Sequence, residues 1–118
     1  VALAALIPLA DHRARRLVER LLEIQGEIDH AARQLLSGRR AEARLEDLLD
    51  DIDRTLVDLA RTARHVDSPA LREAIDATCR AHARWSCARL GSEEERSAAA
   101  VYLESVDALA KAAERRRA

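Results

Sequence analysis

The chain has 118 residues and a formal net charge of −1, with two cysteines, one tryptophan, one tyrosine and neither phenylalanine nor methionine. That length suits one domain that buries a core without staples, and the near-neutral charge argues against a nucleic-acid binder held by bulk electrostatics. Ala, Leu, Glu and Arg dominate, which excludes a β-rich protein, and no run reaches the roughly 18 apolar residues of a membrane span.

The composition predicts an all-α protein, and the spacing predicts an antiparallel up-down four-helix bundle, one domain over 1–118. Helix 1 is expected over about 2–37, with Leu3, Ile7, Ala14, Leu17, Val18, Leu21, Ile24, Gln25, Ile28 and Leu35 on one stripe. Pro8 points away from that stripe, so the helix is extended or kinked there. The apolar opening Val1–Ile7 lacks a basic leader and continues the stripe, so it reads as mature structure rather than a signal peptide. Ser37-Gly38 ends this helix, because Gly is favoured just past a helix end. Helix 2, about 39–66, carries Ala41, Leu45, Leu48, Leu49, Ile52, Leu56, Leu59, Ala63 and Val66. Helix 3, about 68–90, opens on Asp67-Ser68-Pro69, a cap followed by proline in the first turn. Helix 4, about 92–116, follows Gly91, with Ser92 as cap and Glu95 placed for a capping box. Loops this short join antiparallel neighbours.

Helix 3 is the exception to a plain core. Leu71, Ile75, Thr78, His82 and Ser86 share one direction, with Cys79 and Trp85 flanking it. A buried imidazole needs partners or it costs stability. Counting back along the hairpins puts His82 level with Ala98–Tyr102, with Ile52–Leu56, and with Ile24–Gln25. Gln25, His82 and Tyr102 then fall in one central layer, and Gln25 or Leu21 is expected to face His82 across the core. Small residues such as Ala98 leave volume beside it. One reading is a bonded core histidine in a structural or interaction bundle. The other is a small-molecule or cofactor site lined by Leu21, Gln25, Thr78, Cys79, His82, Trp85, Ser86, Arg89, Ala98 and Tyr102.

Several chemistries fit parts of this set. Glu27-x-x-His30 matches half of a di-metal carboxylate motif, but points away from the stripe and has no second copy. Cys79-x-x-His82 gives two of the four ligands of a structural zinc site, or a nucleophile and base for a Cys/His hydrolase. Cys79 and Cys87 lie about 12 Å apart along a helix, too far to pair, so free thiols point to a reducing, cytoplasmic or recombinant setting. A buried histidine facing small residues suits a haem or related metalloporphyrin, with His82 on the metal, Thr78 or Ser86 behind the ring and Arg89 for a propionate. Arginines at one end (Arg13, Arg15, Arg16, Arg61, Arg64 and Arg115–Arg117) read as a solvated end. A soluble monomer is expected.

The runs Ser37-Gly38-Arg39-Arg40-Ala41-Glu42-Ala43, Asp67-Ser68-Pro69-Ala70-Leu71-Arg72-Glu73-Ala74 and Gly91-Ser92-Glu93-Glu94-Glu95-Arg96 combine short loops, matched caps and Ala/Arg/Glu surfaces. In this the whole chain resembles computationally designed helical bundles, although Pro8 and the single lysine, Lys111, depart from that style. The resemblance implies a built ligand site. Among such bundles the porphyrin-binding kind, some of them artificial carbene- or oxygen-transfer catalysts, is the nearest analogue, and it implies His82 as axial ligand.

Overall fold

The computed structural model describes residues 9–115. Four helices account for nearly all of them, and no strand occurs among the described residues: α1 Leu9–Leu36, α2 Glu42–Ala63, α3 Pro69–Cys87 and α4 Glu93–Arg115. The expected extension or kink at Pro8, and the ends of the first and last helices beyond 9 and 115, lie outside the described residues.

The helix ends follow the local chemistry. Gly38 takes φ 81°, a conformation that side chains resist. It lets Arg39 N–H reach the Gln34 carbonyl at 2.9 Å and Gly38 N–H reach that of Leu35 at 3.0 Å, the two bonds of a Schellman end. Ser68 caps α3 by accepting from Leu71 N–H at 3.3 Å, with Pro69 in the first turn. Ser92 Oγ accepts from Glu95 N–H at 3.1 Å, while the Glu95 carboxylate accepts from Gly91 N–H at 2.9 Å. That is a capping box with its return bond shifted one residue outward.

Two helices are shorter than the sequence suggested. Arg39 closes the α1 end, so α2 begins at Glu42 behind Ala41, which offers no side-chain cap. At its far end the backbone tightens to i−3 bonds from His65 and Val66, and the helix stops at Ala63 rather than Val66. Helix α3 stops at Cys87 because Ala88 is extended (ψ 148°) and residues 89–92 form a turn closed on the Arg89 carbonyl by Ser92.

Contacts between neighbours run in opposite chain directions. Asp11 meets Asp67 while Glu27 meets Arg44; Leu56 meets Cys79 while Asp53 meets His82; Thr78 meets Ser105 while His82 meets Tyr102. The helices therefore alternate up and down in the ring order α1-α2-α3-α4. Helix α1 packs closely on α2 and α3 on α4, the α1/α4 and α2/α3 seams are looser, and diagonal helices do not meet. The core runs along the axis through Leu21, Leu48, Ile52, Leu59, Leu71, Ile75, Tyr102 and Leu109, each essentially inaccessible to water. Thr55 and Thr62, buried on α2, satisfy their hydroxyls on the carbonyls of Asp51 and Asp58. At the α1 start, buried Asp11 accepts from Asp67 N–H at 3.0 Å and anchors the α2–α3 loop. Arg15, expected on the solvated arginine end, is instead buried, and its Nε and Nη2 meet no partner among the described residues.

Candidate functional site

Each helix contributes one polar side chain to a layer across mid-bundle. From α1, Gln25 Oε1 accepts from the Tyr102 hydroxyl of α4 at 3.1 Å. The Tyr102 ring meets the His82 imidazole of α3 edge-on, centroids 5.5 Å apart. His82 Nε2 lies 3.3 Å from Asp53 Oδ1 of α2. Trp85, one turn beyond His82, stacks on Tyr102 at 5.3 Å and 27°, and stands perpendicular to the imidazole at 6.0 Å. Three rings thus brace one another where the stripes run out of large aliphatic residues.

Burial sets the charge states in this layer. Tyr102, 1% exposed, has its hydroxyl pushed far up by burial, with Cys79 and Asp53 adding to the shift, so it remains a neutral donor. Burial also lowers the His82 pKa below its usual 6.5, against a partial upward pull from Asp53. The imidazole is accordingly neutral at pH 7.

His82 is not at the centre of the core, as its place on the stripe suggested. The inward positions of α3 are Leu71, Ile75, Thr78 and Ala81; His82 sits on the α2 side of them, its side chain 16% exposed. The shift has a geometric cause. Ala81 nestles toward α4 beside Ala98, while the imidazole is drawn to the Asp53 carboxylate at the loose α2/α3 seam. There it opens onto a groove of about 320 Å³ whose walls include Leu49, Asp53, Trp85, Ser86, Leu90 and Glu95.

The other expected site residues separate into three groups. Trp85, Ser86 and His82 share the groove. Gln25 and Tyr102 belong to the polar layer, as the level counting placed them, but Gln25 reaches His82 only through the tyrosine. The rest lie elsewhere. Leu21 is sealed in the core. The Thr78 hydroxyl is spent on the carbonyls of Ala74 and Ser105, so it does not orient the imidazole. Ala98 lines a separate α3/α4 groove with Ala81 and Arg84. Arg89, expected on the core side of helix 3, is exposed and past the helix end. The Cys79 thiol faces the Leu56 carbonyl of α2 at 3.7 Å, and burial, reinforced by Asp76, raises its pKa against a smaller pull from Arg80. A thiol held protonated is a weak nucleophile, which removes support from a Cys/His pair.

Sequence reasoning missed Asp53. It sits beside Ile52, off the apolar stripe. The level count already spanned Ile52 to Leu56, so the signal was present: a carboxylate at the height of a half-buried imidazole. A larger groove of about 650 Å³ between α1 and α2 is walled mostly by charged side chains such as Arg20, Glu27 and Arg44, with His30 as its one ring, and includes no residue of the polar layer. Among the described residues no group of three or more His, Cys, Asp or Glu is placed to hold a metal ion, and no helix is long and apolar enough to cross a membrane. Compared with protein families, with curated proteins and with solved structures, the chain shows no match.

Proposed function

We propose that the chain is a small-molecule-binding helical bundle and that its site is the groove beside His82. The observation that carries this reading is the polar layer Gln25–Tyr102–His82–Asp53, which ends at a concave, partly apolar surface instead of being sealed. Ligand pockets are of this kind, mostly apolar with a few convergent polar groups, and about 320 Å³ falls at the small end of their roughly 300–1,000 Å³ range. A core histidine kept only for structure would have both its surroundings and its nitrogens closed off.

Haem is the specific cofactor the sequence pointed to, and the described residues do not fit one enclosed between the helices. The imidazole is flanked by Trp85 and Tyr102, Nε2 faces Asp53, and the surrounding core is filled. The groove wall brings Asp53 and Glu95, which repel propionates, while Arg89 is not part of the wall. The cofactor reading survives as ligation through the exposed edge of His82, and a ligand smaller than a porphyrin suits the groove better. The likeness to designed bundles draws support from the Gly38 and Ser92 ends. It is weakened by Arg15, whose buried Nε and Nη2 find no partner among the described residues, against design practice.

Trp85 is the sole tryptophan and lines the groove, so its emission reports occupancy. Titration with small flat aromatic ligands is expected to change that emission and raise the melting temperature, with both effects reduced in the His82→Ala protein and the thermal effect reduced in Trp85→Leu, which has no tryptophan left to emit. Haemin is the second arm: a Soret shift with the unaltered protein that is lost in His82→Ala assigns the ligand as haem. Silence of both readouts across all ligands overturns the reading.

A further inference from the structure

We propose that the groove beside His82 selects a small organic cation, a protonated amine or quaternary ammonium on an apolar body. This rests on the reading that the groove binds a small molecule, and it adds the chemical class of the ligand.

The wall supplies two carboxylates and no lysine or arginine. Asp53 uses Oδ1 on the imidazole and is 62% exposed, and Glu95 uses Oε1 on the Gly91 N–H. The second oxygen of each has no hydrogen bond among the described residues. With the imidazole neutral, the formal charge of the lining is −2, one from each carboxylate. Of the nearby arginines, Arg54 leans to Asp51 at 3.9 Å, Arg84 lines the neighbouring groove, and Arg89 is exposed beyond the α3 end and is not part of the wall. Glu46, Asp47 and Asp50 continue the same sign along exposed α2, so the field at the groove mouth attracts cations before contact.

The apolar half of the ligand also has a counterpart. Trp85 is the side chain that holds cations best on its ring, and its stacking on buried Tyr102 fixes it in place. Leu49 and Leu90, 37% and 90% exposed, flank the opening and offer an apolar rest for a ring or short chain. Two carboxylates, one indole and a pair of leucines are what an ammonium group on a hydrocarbon body requires. An anion meets repulsion there, and a neutral ligand leaves the carboxylates solvated but unused.

The test uses three probes of similar shape: benzyltrimethylammonium, benzyl alcohol and benzoate, titrated into the intact protein and followed by Trp85 emission and calorimetry. The ammonium is expected to bind about tenfold more tightly than the alcohol, from cation–π and carboxylate attraction together, with benzoate weakest. Raising the salt concentration should erode that margin, and the Asp53→Asn/Glu95→Gln pair should reduce it to about twofold. If the alcohol or benzoate equals the ammonium, the cation preference is overturned while the groove remains a ligand site. If no probe and no haemin perturbs Trp85, both proposals fall.

Discussion

The two halves of α3 are built from one helix and behave differently. From Pro69 to Thr78 the inward residues are Leu71, Ile75 and Thr78, all 0% exposed, and the helix is sealed against its neighbours. From Cys79 to Cys87 the inward residue is a small one, Ala81, and the bulk is carried by His82 and Trp85 at the edge of the seam. The difference shows how a site arises in so simple a fold. Large aliphatic side chains close the first half, whereas in the second an imidazole and an indole are too polar or too wide to point straight in. They rotate toward the carboxylate and the solvent, and the space they leave becomes the groove.

The sharpest way to break this contrast is to truncate one residue from each half. Ile75→Ala removes a fully buried side chain from a packed layer, and urea denaturation should show a loss of about 2–5 kcal/mol. His82→Ala removes a ring whose surroundings are already partly open, and is expected to cost less than half of what Ile75→Ala does. Equal losses would mean that the second half of α3 is as tightly packed as the first.

Tyr102→Phe probes the joint between the halves. It deletes the hydroxyl that holds Gln25, while the ring stack with Trp85 stays. The expected loss is about 0.5–1.5 kcal/mol, and Gln25→Leu in the Tyr102→Phe background should restore part of it, because an unpaired amide is then gone. Ser68→Ala acts on the sealed half alone. Losing the bond to Leu71 N–H should cost about 1 kcal/mol in the same assay, without altering Trp85 emission.

Most of the architecture was legible because periodicity and caps act locally. The stripes Val18, Leu21, Ile24 and Leu48, Ile52, Leu59 are buried as their spacing requires, and Gly38, Ser68 and Ser92 mark the ends. Counting levels along the hairpins even brought Gln25 and Tyr102 together across 77 residues of chain. What spacing could not resolve was rotation about α3. A change of a few tens of degrees decides whether Ala81 or His82 faces in, and it depends on a carboxylate of another helix. The Asp11 anchor and the burial of Arg15 were hidden for a similar reason, since charged residues near a helix start read as surface.

The smallest expected effect separates the halves by pH. Folding lowers the pKa of His82, because burial disfavours its charged form more than Asp53 favours it. Above the unfolded value near 6.5 the ring is neutral in both states and contributes nothing to pH dependence. As the pH falls through 6.5, the unfolded chain takes up a proton that the folded chain still refuses, so stability declines until the lower folded pKa is reached and then levels off. His82→Gln removes this step, and the other three of the four histidines cancel because both proteins retain them. The unaltered protein should thus lose stability relative to His82→Gln between pH 7.5 and about 5, measured as urea midpoints at constant ionic strength. Asp53→Asn should steepen that loss, since it withdraws the one charge that favours the imidazolium. A curve that instead rises toward acid would show Asp53 outweighing burial, and would place His82 further toward the water-exposed side of the seam.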